Sequence, residues 1–117
     1  MPKVTGQVVF EIPPSQIDKA LQIVKLELIS LADAPSSVIA RFERHIGDED
    51  ISHLPFELSV DTEVEPRGIY TVSAHVSLHP DDDPNDIRRG DYLTMQTYPV
   101  LTQGNPDNLE IVVKRVG

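Results

Sequence analysis

Tyr70-Thr71-Val72-Ser73-Ala74-His75-Val76-Ser77-Leu78 is the stretch that decides the fold class. Tyr70, Val72, Ala74, Val76 and Leu78 fall at every second position, with Thr71, Ser73, His75 and Ser77 between them. A helix would group positions three and four apart, whereas a strand turns successive side chains to opposite faces. The segment therefore reads as a strand with one buried face and one wetted face, His75 on the wetted one.

The same period recurs in both directions from it. Val4, Gly6, Val8, Phe10 and Ile12 oppose Thr5, Gln7 and Glu11; Val38, Ala40 and Phe42 oppose Ser37, Arg41 and Glu43. Leu54, Phe56, Leu58 and Val60 oppose Glu57, Ser59 and Asp61, and Leu109, Ile111 and Val113 oppose Glu110 and Lys114. Tyr92 to Thr97 is strand-like by β-branched and aromatic content, with no clear inward face. Ser15 to Leu31 carries both periods. Ile17, Ala20, Leu21 and Val24 suit a helical face that Ser15 and Asp18 cap, while Val24, Leu26 and Leu28 alternate with Lys25 and Glu27. The spacing predicts a short helical turn over residues 15–21 and a strand from there to Leu31.

Short connections rich in turn formers separate these segments: Gly47-Asp48-Glu49-Asp50, Glu65-Pro66-Arg67-Gly68 and Gly104-Asn105-Pro106-Asp107. One long connection remains, His79 to Asp91. About seven short strands with turns between them predict an all-β fold, an antiparallel β-sandwich, with residues 1–117 forming one domain. Phe10, Phe42, Phe56 and Tyr70 sit on the apolar parity of their strands and are expected to share its core.

Charge and composition narrow the function. Ten Lys and Arg against nineteen Asp and Glu leave a net charge of −9. Such a surface repels phosphate backbones and anionic lipid heads, so no nucleic-acid partner and no electrostatic membrane binding are expected. No apolar run approaches a membrane span, so no direct membrane insertion is expected either. The absence of cysteine excludes disulfides, thiolate metal sites and cysteine nucleophiles. Met1-Pro2-Lys3 leads directly into a strand-like pattern with no signal peptide, so the chain as written is expected in the cytoplasm.

Tyr98-Pro99-Val100-Leu101-Thr102-Gln103-Gly104-Asn105-Pro106 resembles a signature of the YbaY/YscW-like family of small bacterial lipoproteins. Three further segments fall in the family's order: Val4-Thr5-Gly6, Ser30-Leu31-Ala32-Asp33-Ala34-Pro35, and Pro55-Phe56-Glu57-Leu58 followed by Tyr70. Pro80 to Gly90 stands where the family has a short turn. The family includes chaperones (pilotins) of type III secretion, and its small β-rich domains have no known catalysis. The resemblance implies a non-enzymatic domain that chaperones a secretin. It also implies a periplasmic or outer-membrane-anchored protein, if a signal peptide and lipid-modified cysteine have been removed.

The residues offer few sites for chemistry. Asp81, Asp82, Asp83 and Asp86 supply the oxygen ligands that calcium prefers. The EF-hand spacing fails, however, with Asp86 where glycine is needed and Tyr92 where the bidentate glutamate belongs. His75 and His79 share a strand face but stand about 13 Å apart at roughly 3.3 Å per residue, too far to share a zinc ion. His45 and His53 border an acidic turn. The patterns G-x-S-x-G, G-x-G-x-x-G, the P-loop and H-E-x-x-H are all missing. No enzyme activity, cofactor or metal is expected.

A protein or peptide partner remains the leading expectation, with a small-molecule or calcium-binding module as the alternative. The first strand, Val4 to Ile12, is the candidate edge for a partner, with Gln7 and Val9 on its outer face. Asp33, Thr102 and Asn105 either line a partner-binding end of the fold or shape local turns.

Overall fold

The computed structural model describes residues 3–12, 20–29, 37–46, 54–61, 63–64, 68–78, 87, 89–96, 98–102, 104 and 107–116. Among them are eight strands and no helix: β1 (Lys3–Phe10), β2 (Ala20–Ile29), β3 (Ser37–Ile46), β4 (Leu54–Ser59), β5 (Ile69–Ser77), β6 (Tyr92–Thr94), β7 (Tyr98–Val100) and β8 (Asn108–Arg115). The all-β expectation holds. Residues 13–19 lie outside the described residues. Ala20 and Leu21, the end of the expected helical turn, instead open β2.

The strands form one sheet and not two facing ones. They follow the path β3-β2-β5-β6-β8-β1-β4, with β7 added alongside β5. The sheet curls until its two ends, β3 and β4, come into contact, which makes a nearly closed barrel. Alternation tells which face is buried but not what buries it. A sheet curled on itself and two sheets packed together therefore leave the same sequence pattern. The pairing is also mixed, because β1 and β8 run parallel. No tight turn links the first and last strands, so local sequence does not fix their relative direction.

β1 is not an edge. It pairs with β4 on one side and β8 on the other. Coming first in the chain does not place a strand last in the sheet. The approach to β8 is so close that a Cβ at Gly6 would overlap the Leu109 carbonyl. Only glycine fits there.

The interior takes Val4, Val8 and Phe10 from β1, Leu54, Phe56 and Leu58 from β4, Tyr70, Val72, Ala74 and Val76 from β5, and Ile111 and Val113 from β8. Phe10, Phe56 and Tyr70 are buried, and Phe42 packs partly buried against the same cluster. Phe10 meets Tyr92 edge to face at 4.7 Å between ring centres, joining β1 to β6 across β8. The expected alternation fails at two ends: Ile12 is 76% exposed and Leu78 41%. Both lie just beyond their strands.

Two irregularities redirect the chain. Leu26 faces Ala40 but Glu27 faces Val38, so Ile39 is the extra residue of a β-bulge. The bulge turns Val38 outward, away from the inner face it was expected to share with Ala40 and Phe42. The expected strand over 92–97 also breaks, and β7 departs from β8 to pair only with β5. Where β7 has left, the Val112 N–H donates to the Tyr98 hydroxyl at 2.9 Å in place of a strand carbonyl.

Candidate functional site

The ends of the sheet path define the most distinctive surface. β3 and β4 touch without sharing a hydrogen-bond ladder. Sequence explains part of this. Pro55 in β4 has no N–H to donate, and the bulge at Ile39 bends the far end of β3. The seam is tight at one end, where Ile46 is buried and the Gln22 Nε2 donates to the Leu54 carbonyl at 3.1 Å. Toward the other end it loosens. Phe42 and Ala40 on the inner face of β3 are only half-buried, as are Ile39 and Leu28 beside them, whereas Phe56 and Leu58 opposite are buried. Ile29, at the end of β2, is 39% exposed. The result is an apolar strip, open to water on one side, along an unladdered sheet edge. Edges of this kind either need protection or receive another chain.

A second cluster sits outside the barrel. The His75 Nε2 and Asp91 Oδ2 are 2.9 Å apart, and Asp91 Oδ1 accepts the Leu78 N–H at 3.1 Å. Asp91 is 1% exposed and His75 8%. One buried carboxylate thus ties together the two ends of the long connection, and the Val116 N–H donates to the Asp91 carbonyl at 2.7 Å. The pair was not legible in the sequence. Alternation put His75 on a wetted face, and nothing near Asp91 marks it as a partner sixteen residues away. A shallow hollow of about 130 Å³ adjoins it, lined by Ile23, Lys25, Ser73, His75, Ile87 and Leu93 among others.

The expected site residues are not brought together. Gln7 and Val9 lie half-buried on the outer face of β1, with Val9 beside Val112 of β8. Thr102 is buried; its hydroxyl donates to the Gly68 carbonyl at 2.8 Å, and its N–H donates to Val100 O across Leu101, whose φ is +69°. That is a tight γ-turn with a strained centre. Asp33 and Asn105 lie outside the described residues, as do Asp81, Asp82, Asp83 and Asp86 of the acidic segment. Among the described residues, no group of three or more His, Asp or Glu is placed to hold a metal.

Among the described residues, the most distinctive surface of this small β-barrel is the apolar strip along its open seam. The family model of the type III secretion system lipoprotein chaperones (YscW) matches residues 1–113, and the chain belongs to that family. No curated protein matches the sequence. Among solved structures, an alternative pilotin from the type II secretion system of Vibrio cholerae shares the fold, with a TM-score of 0.78 and 24% identity. The alignment covers 99% of this chain and 97% of that one.

Proposed function

We propose that this protein is a non-catalytic, pilotin-like chaperone that holds a secretion-system protein through the apolar strip beside the β3/β4 seam. The observation that carries the reading is the half-burial of Leu28, Ile39, Ala40 and Phe42 along an unladdered edge. Inner-face side chains of a closed barrel are normally sealed from water, and a strip left open is available to a partner's apolar side chains. Membership of a lipoprotein-chaperone family supports a protein partner and a periplasmic, membrane-associated setting. It lends no support to the cytoplasmic expectation.

The test is proximity crosslinking in the native bacterium from a photoreactive residue at position 40, compared with one at position 57 on the outer face of β4. Crosslinks to a secretion-system component from position 40 alone support the reading. Equal yields from both positions, or none from position 40, refute it. Phe42→Ser, checked for retained fold by circular dichroism, should weaken the same crosslink.

A further inference from the structure

We propose that the hollow beside His75 binds a small monocarboxylate. Lys25, Ser73 and His75 hold its charged end, and Ile23 and Leu93 cover its short aliphatic end. The register of the sheet builds this site. Ser73 faces Lys25 across the β2/β5 ladder, and two pairs further along His75 faces Ile23 on one side and Leu93 on the other. All five line the hollow on the outer face. Side chains at diagonal positions of neighbouring strands stand about 7–8 Å apart, so one carboxylate can lie between the Lys25 ammonium and the His75 ring.

The Asp91 carboxylate decides what His75 offers. A carboxylate only accepts, so the His75 Nε2, 2.9 Å from Asp91 Oδ2, carries the proton of that bond. The ring is thereby fixed and its Nδ1 is left over. Nδ1 has no hydrogen-bond partner among the described residues and is not sealed from water, although His75 as a whole is only 8% exposed. A buried side chain that keeps one polar atom open to a hollow is set to meet a partner there. Half-buried Lys25 likewise makes no ion pair among the described residues. Nδ1 takes the proton of an incoming acid or, already protonated, donates to its anion, and Asp91 balances the imidazolium charge in both cases. With Lys25 beside it, the hollow supplies charge-assisted donors to a carboxylate.

Size and charge then select the ligand. About 130 Å³ admits a carboxylate with a few carbons and little more. Glu27, on the same face two residues from Lys25, also lines the hollow, and its carboxylate opposes a second negative charge. A monoanion such as propionate fits; a dianion such as succinate is turned away.

The test is an NMR titration of the isotopically labelled protein with sodium propionate, against sodium chloride at equal ionic strength and fixed pH. Saturable shifts should centre on Lys25, Ser73, His75 and Leu93, with a Kd of about 1–10 mM, as befits so few atoms. Succinate should bind at least about tenfold more weakly. Lys25→Met keeps the aliphatic stem, removes the charge and should weaken propionate by about tenfold. Glu27→Gln should narrow the gap between propionate and succinate. Both substitutions lie outside the barrel interior, and the amide spectrum of each variant reports its fold directly. No saturation by about 100 mM propionate, unchanged affinity in Lys25→Met, or succinate bound as tightly as propionate would overturn the proposal. The readout needs no secretion-system partner and lies on the outer face of β2, β5 and β6, so it stands apart from the crosslinking result.

Discussion

Phe56 is the residue on which sequence and structure agree most simply: it is apolar, on the buried parity of β4, and 4% exposed. Phe56→Ala should cost about 3–5 kcal/mol in a denaturant titration, as the loss of a buried aromatic usually does. A variant melting within a degree or two of the parent would contradict the burial. Gly6 makes the opposite point. Its small size is visible in the sequence, but the reason for it is a backbone 103 residues away, the Leu109 carbonyl that a Cβ would overlap. Gly6→Ala is expected to destabilise strongly, by about 1–3 kcal/mol or more through overpacking against rigid backbone, read as a lowered urea midpoint. His75 was misread for a related reason. Alternation reports one sheet face against the other, and a residue on the outer face can still be covered by a group distant in sequence, here the Asp91 carboxylate.

At the scale of elements, β4 and most of β5 were legible because their ladders are regular and period two survives from end to end. β3 was only half-legible. A bulge adds one residue without leaving a mark in an apolar run, and every side chain beyond it changes face. This gives a sharp test. Val38→Lys should shift stability by no more than about 0.5 kcal/mol, as at other exposed sites. Without the bulge, the same change would bury a charge and cost several times more. The break between β6 and β7 gives another. Tyr98→Phe removes the hydroxyl that accepts from the Val112 N–H, and leaving that donor without a partner should cost about 1–3 kcal/mol. The segment Pro80 to Gly90 yields to sequence argument alone. Its spacing misses the calcium-ligand pattern and its arginines compete for the carboxylates, so titration with micromolar calcium should leave the melting temperature unchanged. Saturable stabilisation there would revive a calcium-binding function.

For the molecule as a whole, the kind of strands and seven of the eight described were legible, while β7 and the closure of the sheet were not. Which strand lies beside which depends on contacts between distant residues, and no local pattern encodes them. The edge assigned to β1 fell for this reason, and the true ends of the sheet became visible only once all the pairings were known. Removal of residues 108–117 should abolish cooperative unfolding altogether, since it strips β1 of its parallel partner and uncovers the interior from β6 to β1; a truncated chain with a sharp melting transition would contradict this. The β1–β8 pairing also has a consequence for biosynthesis. The first strand cannot dock on the last until nearly the whole chain has left the ribosome, about 5–20 s later at 5–20 residues per second. Throughout that interval the nascent chain has no completed barrel. A segment that cannot close its barrel before its last strand emerges stays threadable until then, which suits the periplasmic setting proposed above.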